Sequence, residues 1–182
     1  MNFFIEYLKH PFKIGAVAPS SRRLAEKMMM PVNFDECDCI IEYGPGTGTF
    51  TKEIIKRKKR ETIFLVIEQN EEFYEKLRRE YMGEENVILI HGDASRVQEY
   101  MKQYKISHAD YIVSGLPFAS LPNGLCQDIL KATKVAVGKK GAFITFQYTL
   151  FKKHIFAEHF RIKDISFEMR NLPPAYVLTM GA

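Results

Sequence analysis

Short apolar runs rich in β-branched residues alternate along the chain with longer stretches whose apolar positions recur at helical spacing. The runs are residues 39–41, 62–67, 87–90, 111–113 and 142–146; between them, residues 50–57, 71–81, 95–104 and 125–137 carry the 3.6-residue period. This βαβα rhythm predicts an α/β fold with a doubly wound, mostly parallel sheet and helices on both faces. After Phe146 the rhythm changes. Residues 162–169 and 176–180, joined through Asn171, Leu172, Pro173 and Pro174, predict a C-terminal antiparallel hairpin. Two N-terminal helices, residues 2–9 and 21–30, precede the first strand, with Ser20 or Ser21 as N-cap of the second. No repeat or linker interrupts the pattern, so residues 1–182 read as one domain, a helical cap over 1–30 and a core over 38–182.

Composition narrows this picture only a little. An apolar share of 46% and 14 Phe in 182 residues suit a packed core. The net charge of +4 is compatible with an anionic partner and demands none. Cys37, Cys39 and Cys126 form neither a disulfide framework nor a zinc spacing, which fits a reducing cytoplasm. The five His have no i, i+4 pair, so no metal site is expected. No run is apolar enough to span a bilayer. Ala16-Val17-Ala18 imitates a signal-peptidase site, but Glu6, Lys9, His10, Pro11 and Lys13 break the apolar stretch a signal peptide needs.

In an open α/β sheet, ligands bind beyond the carboxyl ends of the strands, so the residues after each strand carry the chemistry. The first strand is followed by Glu42-Tyr43-Gly44-Pro45-Gly46-Thr47-Gly48-Thr49. Glycines at alternate positions let the backbone turn tightly, and the next helix offers free N–H groups to an anion. A Walker loop needs Lys after its last glycine, and the dinucleotide fingerprint needs Gly at position 49; Thr49 removes both. The second strand ends in Glu68-Gln69. Glu68 falls 20 residues after Gly48, where a carboxylate accepts hydrogen bonds from ribose hydroxyls. The third ends in His91-Gly92-Asp93-Ala94, where Asp93 doubles as N-cap of the next helix. The fourth ends in Ser114-Gly115-Leu116-Pro117-Phe118, a rigid turn that could orient N–H groups, with an aromatic that could face a base or a cation.

Acidic-x-Gly-x-Gly-x-Gly resembles motif I of the S-adenosylmethionine-dependent methyltransferases, and residues 114–118 resemble motif IV of those that act on amino groups. Two families share the set: ribosomal RNA adenine dimethyltransferases and bacterial phospholipid N-methyltransferases. Gly15-Ala16-Val17-Ala18-Pro19-Ser20-Ser21, Ser114-Gly115-Leu116-Pro117-Phe118-Ala119-Ser120-Leu121-Pro122 and Asn171-Leu172-Pro173-Pro174-Ala175 are similar to signatures of the second. Ser114 stands where the RNA enzymes have Asn, and the chain ends at Ala182 without their RNA-binding domain. The resemblance implies a Rossmann-like methyltransferase sheet. It also implies an S-adenosylmethionine site made of Glu42, Gly44, Pro45, Gly46, Thr47, Gly48, Glu68, Gln69, Asp93, Ala94 and Ser114, with Asp93 and Ala94 at the adenine. Ser114, Leu116, Pro117 and Phe118 would line the acceptor site. The implied activity is N-methylation of an amine, foremost the phosphatidylethanolamine headgroup. The alternatives are an RNA adenine N-methyltransferase and a non-catalytic cofactor-binding protein.

Ser20, Ser21 and Arg22 are expected over the pocket, meeting the methionyl carboxylate or a lipid phosphate. Tyr7 and His10 are candidates to take the amine's proton. Phe3, Phe4, Tyr7 and Leu8, with Phe12 and Ile14 past Pro11, could form an interfacial face beside Lys9, Lys13, Arg22, Arg23 and Lys27, or simply cover the sheet or lid the cofactor; the two readings are balanced. An anionic membrane surface or phospholipid is thus the expected partner, ahead of nucleic acid, with peripheral attachment at the cytoplasmic face. The run Lys56-Arg57-Lys58-Lys59-Arg60 reads as a solvated helix end, and Met28-Met29-Met30 as core filler.

Overall fold

The computed structural model describes residues 22–181. Its elements are α1 (Arg22–Met29), β1 (Cys39–Tyr43), α2 (Thr49–Arg57), β2 (Ile63–Glu68), α3 (Glu71–Tyr81), β3 (Val87–His91), α4 (Val97–Gln103), β4 (Tyr111–Ser114), α5 (Asn123–Val137), β5 (Ala142–Gln147), α6 (Lys153–Ala157), β6 (Arg161–Glu168) and β7 (Ala175–Gly181). The strands make one sheet in the order β3-β2-β1-β4-β5-β7-β6. β1 to β5 pair in parallel. β7 enters antiparallel beside β5, and β6 pairs antiparallel with β7. The expected doubly wound parallel sheet with a terminal hairpin is what the chain adopts.

The central strands read as unbroken apolar runs because both faces are covered. Alternate residues feed two cores. Ile41, Tyr43, Leu65, Ile67, Ile112 and Phe143 pack under α4, α5 and α6 on one face. Ile40, Phe64, Val66, Val113 and Ile144 pack under α1 and α2 on the other. A shift of one residue in any of these strands would exchange its two sets of side chains, so the register is firmly fixed.

Helix α1 buries Leu24, Ala25, Met28 and Met29 against the second core. It is a packing element of the core, worth roughly 1.5–3 kcal/mol for a side chain as fully buried as Met28. The methionine run divides there: Met28 and Met29 fill the core as expected, whereas Met30 points to solvent. The expected helix over 95–104 is a 3₁₀ turn (Ala94–Arg96) running into α4, with the Asp93 carboxylate accepting from Ser95 N–H at 2.8 Å as predicted for a cap. α6 is absent from the sequence reading because five residues are too few to establish a helical period. β6 carries a register irregularity between Ile162 and Asp164. The expected helix over 2–9 and its neighbours up to Ser21 lie outside the described residues. Among the described residues, no helix is long and apolar enough to cross a membrane, and no group of His, Cys, Asp and Glu is arranged to hold a metal ion.

Candidate active site

The strand order reverses between β1 and β4, since the chain builds β2 and β3 to one side of β1 and then crosses to β4 and β5 on the other. The loops after β1 and β4 therefore leave the sheet side by side, where an open α/β sheet forms its crevice. They touch. Gly115 N–H donates to the Tyr43 carbonyl at 2.8 Å. A Cβ on Gly115 would stand 2.5 Å from the Gly44 carbonyl oxygen, so only glycine fits.

Gly44, Gly46 and Gly48 all have positive φ, which is the physical reason for glycine at each. Gly48 is N-cap of α2 and its N–H donates to the Pro45 carbonyl at 3.0 Å. A Cβ on Gly46 would meet nothing within 4 Å, so the loop faces open space there. Behind the loop lie two carboxyl groups. Glu68, nearly fully buried at the end of β2, accepts from Gly46 N–H at 3.0 Å and from Asn70 N–H at 2.8 Å. Burial pushes its pKa up, opposed by those backbone hydrogen bonds. Glu42, fully buried in β1, accepts from the Thr51 hydroxyl at 2.8 Å. Burial, reinforced by the Glu68 charge and opposed by the Thr51 hydrogen bond, pushes its pKa up to about 8. Its Oε1 is buried and has no hydrogen-bond partner among the described residues. An orphaned buried oxygen is costly unless a ligand group or water completes it. That oxygen and the open face at Gly46 fit a small, polar, nucleoside-bearing ligand such as S-adenosylmethionine.

Beyond β2 and β3 the surface changes character. The His91 Nε2 lies 3.0 Å from the Gln69 carbonyl, and its ring stacks on Tyr74 with centroids 5.1 Å apart. Gln69 thus contributes through its backbone. Asp93 uses Oδ1 to cap the 3₁₀ turn, leaving its other oxygen for a ligand amine; Ala94 is buried beside it. Tyr100 crosses Gly92, where a Cβ would meet its hydroxyl at 2.3 Å, and that hydroxyl accepts from Asp93 N–H at 3.2 Å. Tyr74, His91 and Tyr100 escaped the sequence reading because nothing in their spacing reveals that they converge.

The turn after β4 is internally tied. The Ser114 hydroxyl is buried and accepts from Leu116 N–H at 3.2 Å, so it shapes the turn from within. Leu116 and Pro117 are half-buried and line the surface beside Gly44. Phe118 requires a correction: its ring is fully buried, edge-on to Phe143 and Phe156, and offers no face to an acceptor. The turn following Pro117 carries it under the sheet edge into the first core, where an aromatic of that size is stabilised by packing. Gln147, the last residue of β5, holds the turn from outside; its Nε2 donates to the Leu116 carbonyl and its Oε1 accepts from Ala119 N–H, both at 3.3 Å. In the sequence Gln147 is only a polar residue closing an apolar run; its reach to the neighbouring turn depends on strand register.

Arg22 also departs from expectation. It is exposed and pairs with Glu26 one turn along α1 at 3.0 Å. Ser20, Ser21, Tyr7 and His10 lie outside the described residues.

A protein-family model described as ribosomal RNA adenine dimethylase matches residues 20–160. The ornithine lipid N-methyltransferase of Singulisphaera acidiphila is 30% identical, over 96% of this chain and 93% of that protein. Ribosomal RNA small subunit methyltransferase A of Fusobacterium nucleatum is 27% identical over 60% of this chain and 40% of that protein. Among solved structures, the N-methyltransferase NodS of Bradyrhizobium japonicum, in complex with S-adenosyl-L-homocysteine, superposes with a TM-score of 0.76 over 97% of this chain and 96% of that chain at 10% identity. TrmN of Thermus thermophilus gives 0.71 over 96% of this chain and 52% of that chain at 13% identity. The structural likenesses establish the fold, and the sequence matches establish the lineage: the chain belongs to the bacterial lipid N-methyltransferases, relatives of the ribosomal RNA adenine dimethylases, and is an S-adenosylmethionine-dependent methyltransferase.

Proposed function

We propose that the enzyme methylates the primary amine of a membrane-lipid headgroup, phosphatidylethanolamine or an ornithine lipid. The observation that carries this reading is the end-to-end match to an ornithine lipid N-methyltransferase, which spans 93% of that protein, against 40% of the ribosomal RNA relative. The bound cofactor supplies an electrophilic sulfonium methyl group. Gly44, Gly46 and Gly48 bend the backbone to receive its methionine end, with the Oε1 of Glu42 beneath. Glu68, held by Gly46 and Asn70, turns its remaining lone pairs to the ribose. Asp93 offers its uncommitted oxygen to the adenine amino group, with Ala94 and the Gln69 backbone beside it.

Leu116 and Pro117 form the acceptor wall, in a turn pinned from within by Ser114 and from outside by Gln147. A turn tied at both ends positions the amine without moving, which is where the rate advantage of in-line transfer lies. An alkylamine has a pKa of about 10, so it sheds a proton before attack, and Tyr7 and His10 are the candidates to relay it.

A methyl-labelling assay tests the proposal. Phosphatidylethanolamine, an ornithine lipid and ribosomal RNA are offered in parallel with labelled cofactor. Label in either lipid identifies the acceptor. Label in the RNA alone, or in neither lipid by enzyme that binds S-adenosylhomocysteine, overturns the reading.

A further inference from the structure

Around the turn that joins β6 to β7, apolar side chains stand in solvent in a way a closed core does not explain. Met30 is 78% exposed, Met169 71%, Leu172 80% and Phe167 42%. Met30, Phe167 and Met169 line one groove of about 550 Å³ together with three basic residues, Arg23, Lys27 and Arg170, and two acidic ones, Glu26 and Glu168. The groove is preformed, because Lys27 clamps α1 to the hairpin: its Nζ donates to the Phe167 carbonyl at 2.6 Å and lies 3.5 Å from Glu168. Glu168 is further occupied by Arg170 N–H at 2.9 Å, and Glu26 by Arg22. Arg23 acts electrostatically on Glu168, and no carboxylate forms a close ion pair with Arg170 among the described residues. The surface thus combines exposed methionine, leucine and phenylalanine with an excess of basic over acidic side chains. Contiguous exposed apolar residues with a cationic rim fit a lipid surface: apolar tips enter the acyl boundary while arginines meet phosphates.

The contrast with the densest basic run is instructive. Lys58 is consumed by the carbonyls of Lys59, Thr62 and Glu85, while Arg57 pairs with Glu53 and Arg60 with Glu85. That run closes α2 at the opposite edge of the sheet. The groove stands at the carboxyl edge. Gln147, which pins the acceptor turn, pairs in register with Tyr176, which pairs with Phe167. Two strand spacings, roughly 10 Å, separate Gln147 from the groove. Phe151, 84% exposed in the connection after β5, stands at the same edge beyond the acceptor turn.

We infer that the groove between α1 and the β6–β7 turn is a membrane-docking surface that seats on an anionic bilayer, bringing the carboxyl edge and its acceptor turn to the headgroup layer. The inference deepens the lipid-amine reading and rests on it for the purpose of docking, though binding itself is measurable without methyl transfer.

The test is co-sedimentation of the full chain with phosphatidylglycerol–phosphatidylcholine vesicles and with phosphatidylcholine vesicles alone. Wild type is expected on the anionic vesicles and not on the neutral ones. Each basic residue near an anionic surface contributes about 1 kcal/mol, so Arg23→Gln with Arg170→Gln is expected to weaken partitioning ~30-fold. Met169→Ser with Leu172→Ser is expected to weaken it about tenfold or more. These four positions are exposed, and unchanged S-adenosylhomocysteine affinity verifies the fold of each variant. Methyl transfer to a short-chain, monomeric lipid amine should also stay at the wild-type rate, while transfer to vesicles falls with partitioning. Failure of wild type to bind anionic vesicles overturns the docking surface. So does binding that neither double variant weakens, which would assign it to residues 1–21, or loss of a self-associated state in place of vesicle binding. Vesicle binding without methylation of any lipid amine would instead overturn only the proposed acceptor.

Discussion

The carboxyl edge of the sheet divides into two halves built by different means. After β1, β2 and β3, the cofactor half is made from backbone: three left-handed glycines, N–H groups that meet Glu68, and a capped 3₁₀ turn. After β4, β5 and the hairpin, the acceptor half is made from side chains reaching between strands: Gln147 to Leu116 and Ala119, Thr145 to Ser114, Lys27 to Phe167. Backbone geometry holds one ligand class in one pose. Side-chain ties can be retuned singly. Beyond the paired strands β1 and β4, the halves meet most tightly where Gly115 packs on Gly44.

That contact is where the comparison breaks most severely. In Gly115→Ala the new Cβ would lie 2.5 Å from a backbone oxygen that cannot swing aside. Overpacking of this kind costs about 3 kcal/mol or more, and both S-adenosylhomocysteine binding and thermal stability should fall together. Gly46→Ala is the matched control. It meets no atom, so only its φ of +56° is strained, costing roughly 1–2 kcal/mol. Calorimetric melting of both variants checks the order, and equal losses would mean that the two loops do not share a rigid contact. Next in size is Glu68→Ala, which strands the Gly46 and Asn70 N–H groups. Charge-assisted hydrogen bonds are worth about 1.5–3 kcal/mol, so S-adenosylhomocysteine affinity, read by titration calorimetry, should drop tenfold or more. Lipid-vesicle partitioning should not change, because the docking groove belongs to the other half.

The same division explains what was legible in the sequence. The left-handed turns at Gly44, Gly46 and Gly48, the strand-end position of Glu68 and the cap at Asp93 could be read because they depend on local turn geometry and on where strands end. The five parallel strands and the hairpin were readable from hydrophobic period alone. The acceptor half was not, because its contacts depend on register and side-chain direction across strands. Phe118 follows the acceptor turn in sequence yet turns into the core against Phe143 and Phe156. Arg22 adjoins the expected lid yet pairs along its own helix. Met30 ends an apolar run yet stands exposed, because α1 stops one residue earlier. No local rule distinguishes these outcomes.

Glu42 contributes an effect that only pH reveals. Its folded pKa is about 8 against an ordinary 4.5, so the folded protein holds a proton that the unfolded chain has lost. Stability contributed by this group is therefore intact below about pH 4.5 and declines as pH rises toward 8, with a slope of at most about 1.4 kcal/mol per pH unit. Glu42→Gln keeps an acceptor for Thr51 and removes the titration. The melting temperature of this variant relative to wild type should rise between pH 5 and pH 8. A difference that stays flat over that range would mean that Glu42 is ionised in the folded enzyme.

Gln147→Ala sharpens the comparison at the least cost. It removes the ties to Leu116 and Ala119 at the rim of the acceptor half and touches nothing in the cofactor half. The Leu116 carbonyl keeps its bond from Phe118 N–H, at 3.0 Å, so the turn loosens without unfolding, at a cost of about 1 kcal/mol. A loosened turn lets the amine sample poses that are not in line with the methyl group. The expected outcome is a several-fold fall in kcat for the lipid amine, with S-adenosylhomocysteine affinity and vesicle partitioning at wild-type values. Gln147→Glu restores one acceptor and no donor, so it should recover the Ala119 tie and not the Leu116 tie. If Gln147→Ala weakened cofactor binding as much as turnover, the two halves would be one mechanical unit. If turnover alone falls, acceptor geometry is set independently of the glycine loop, by a strand that forms no part of it.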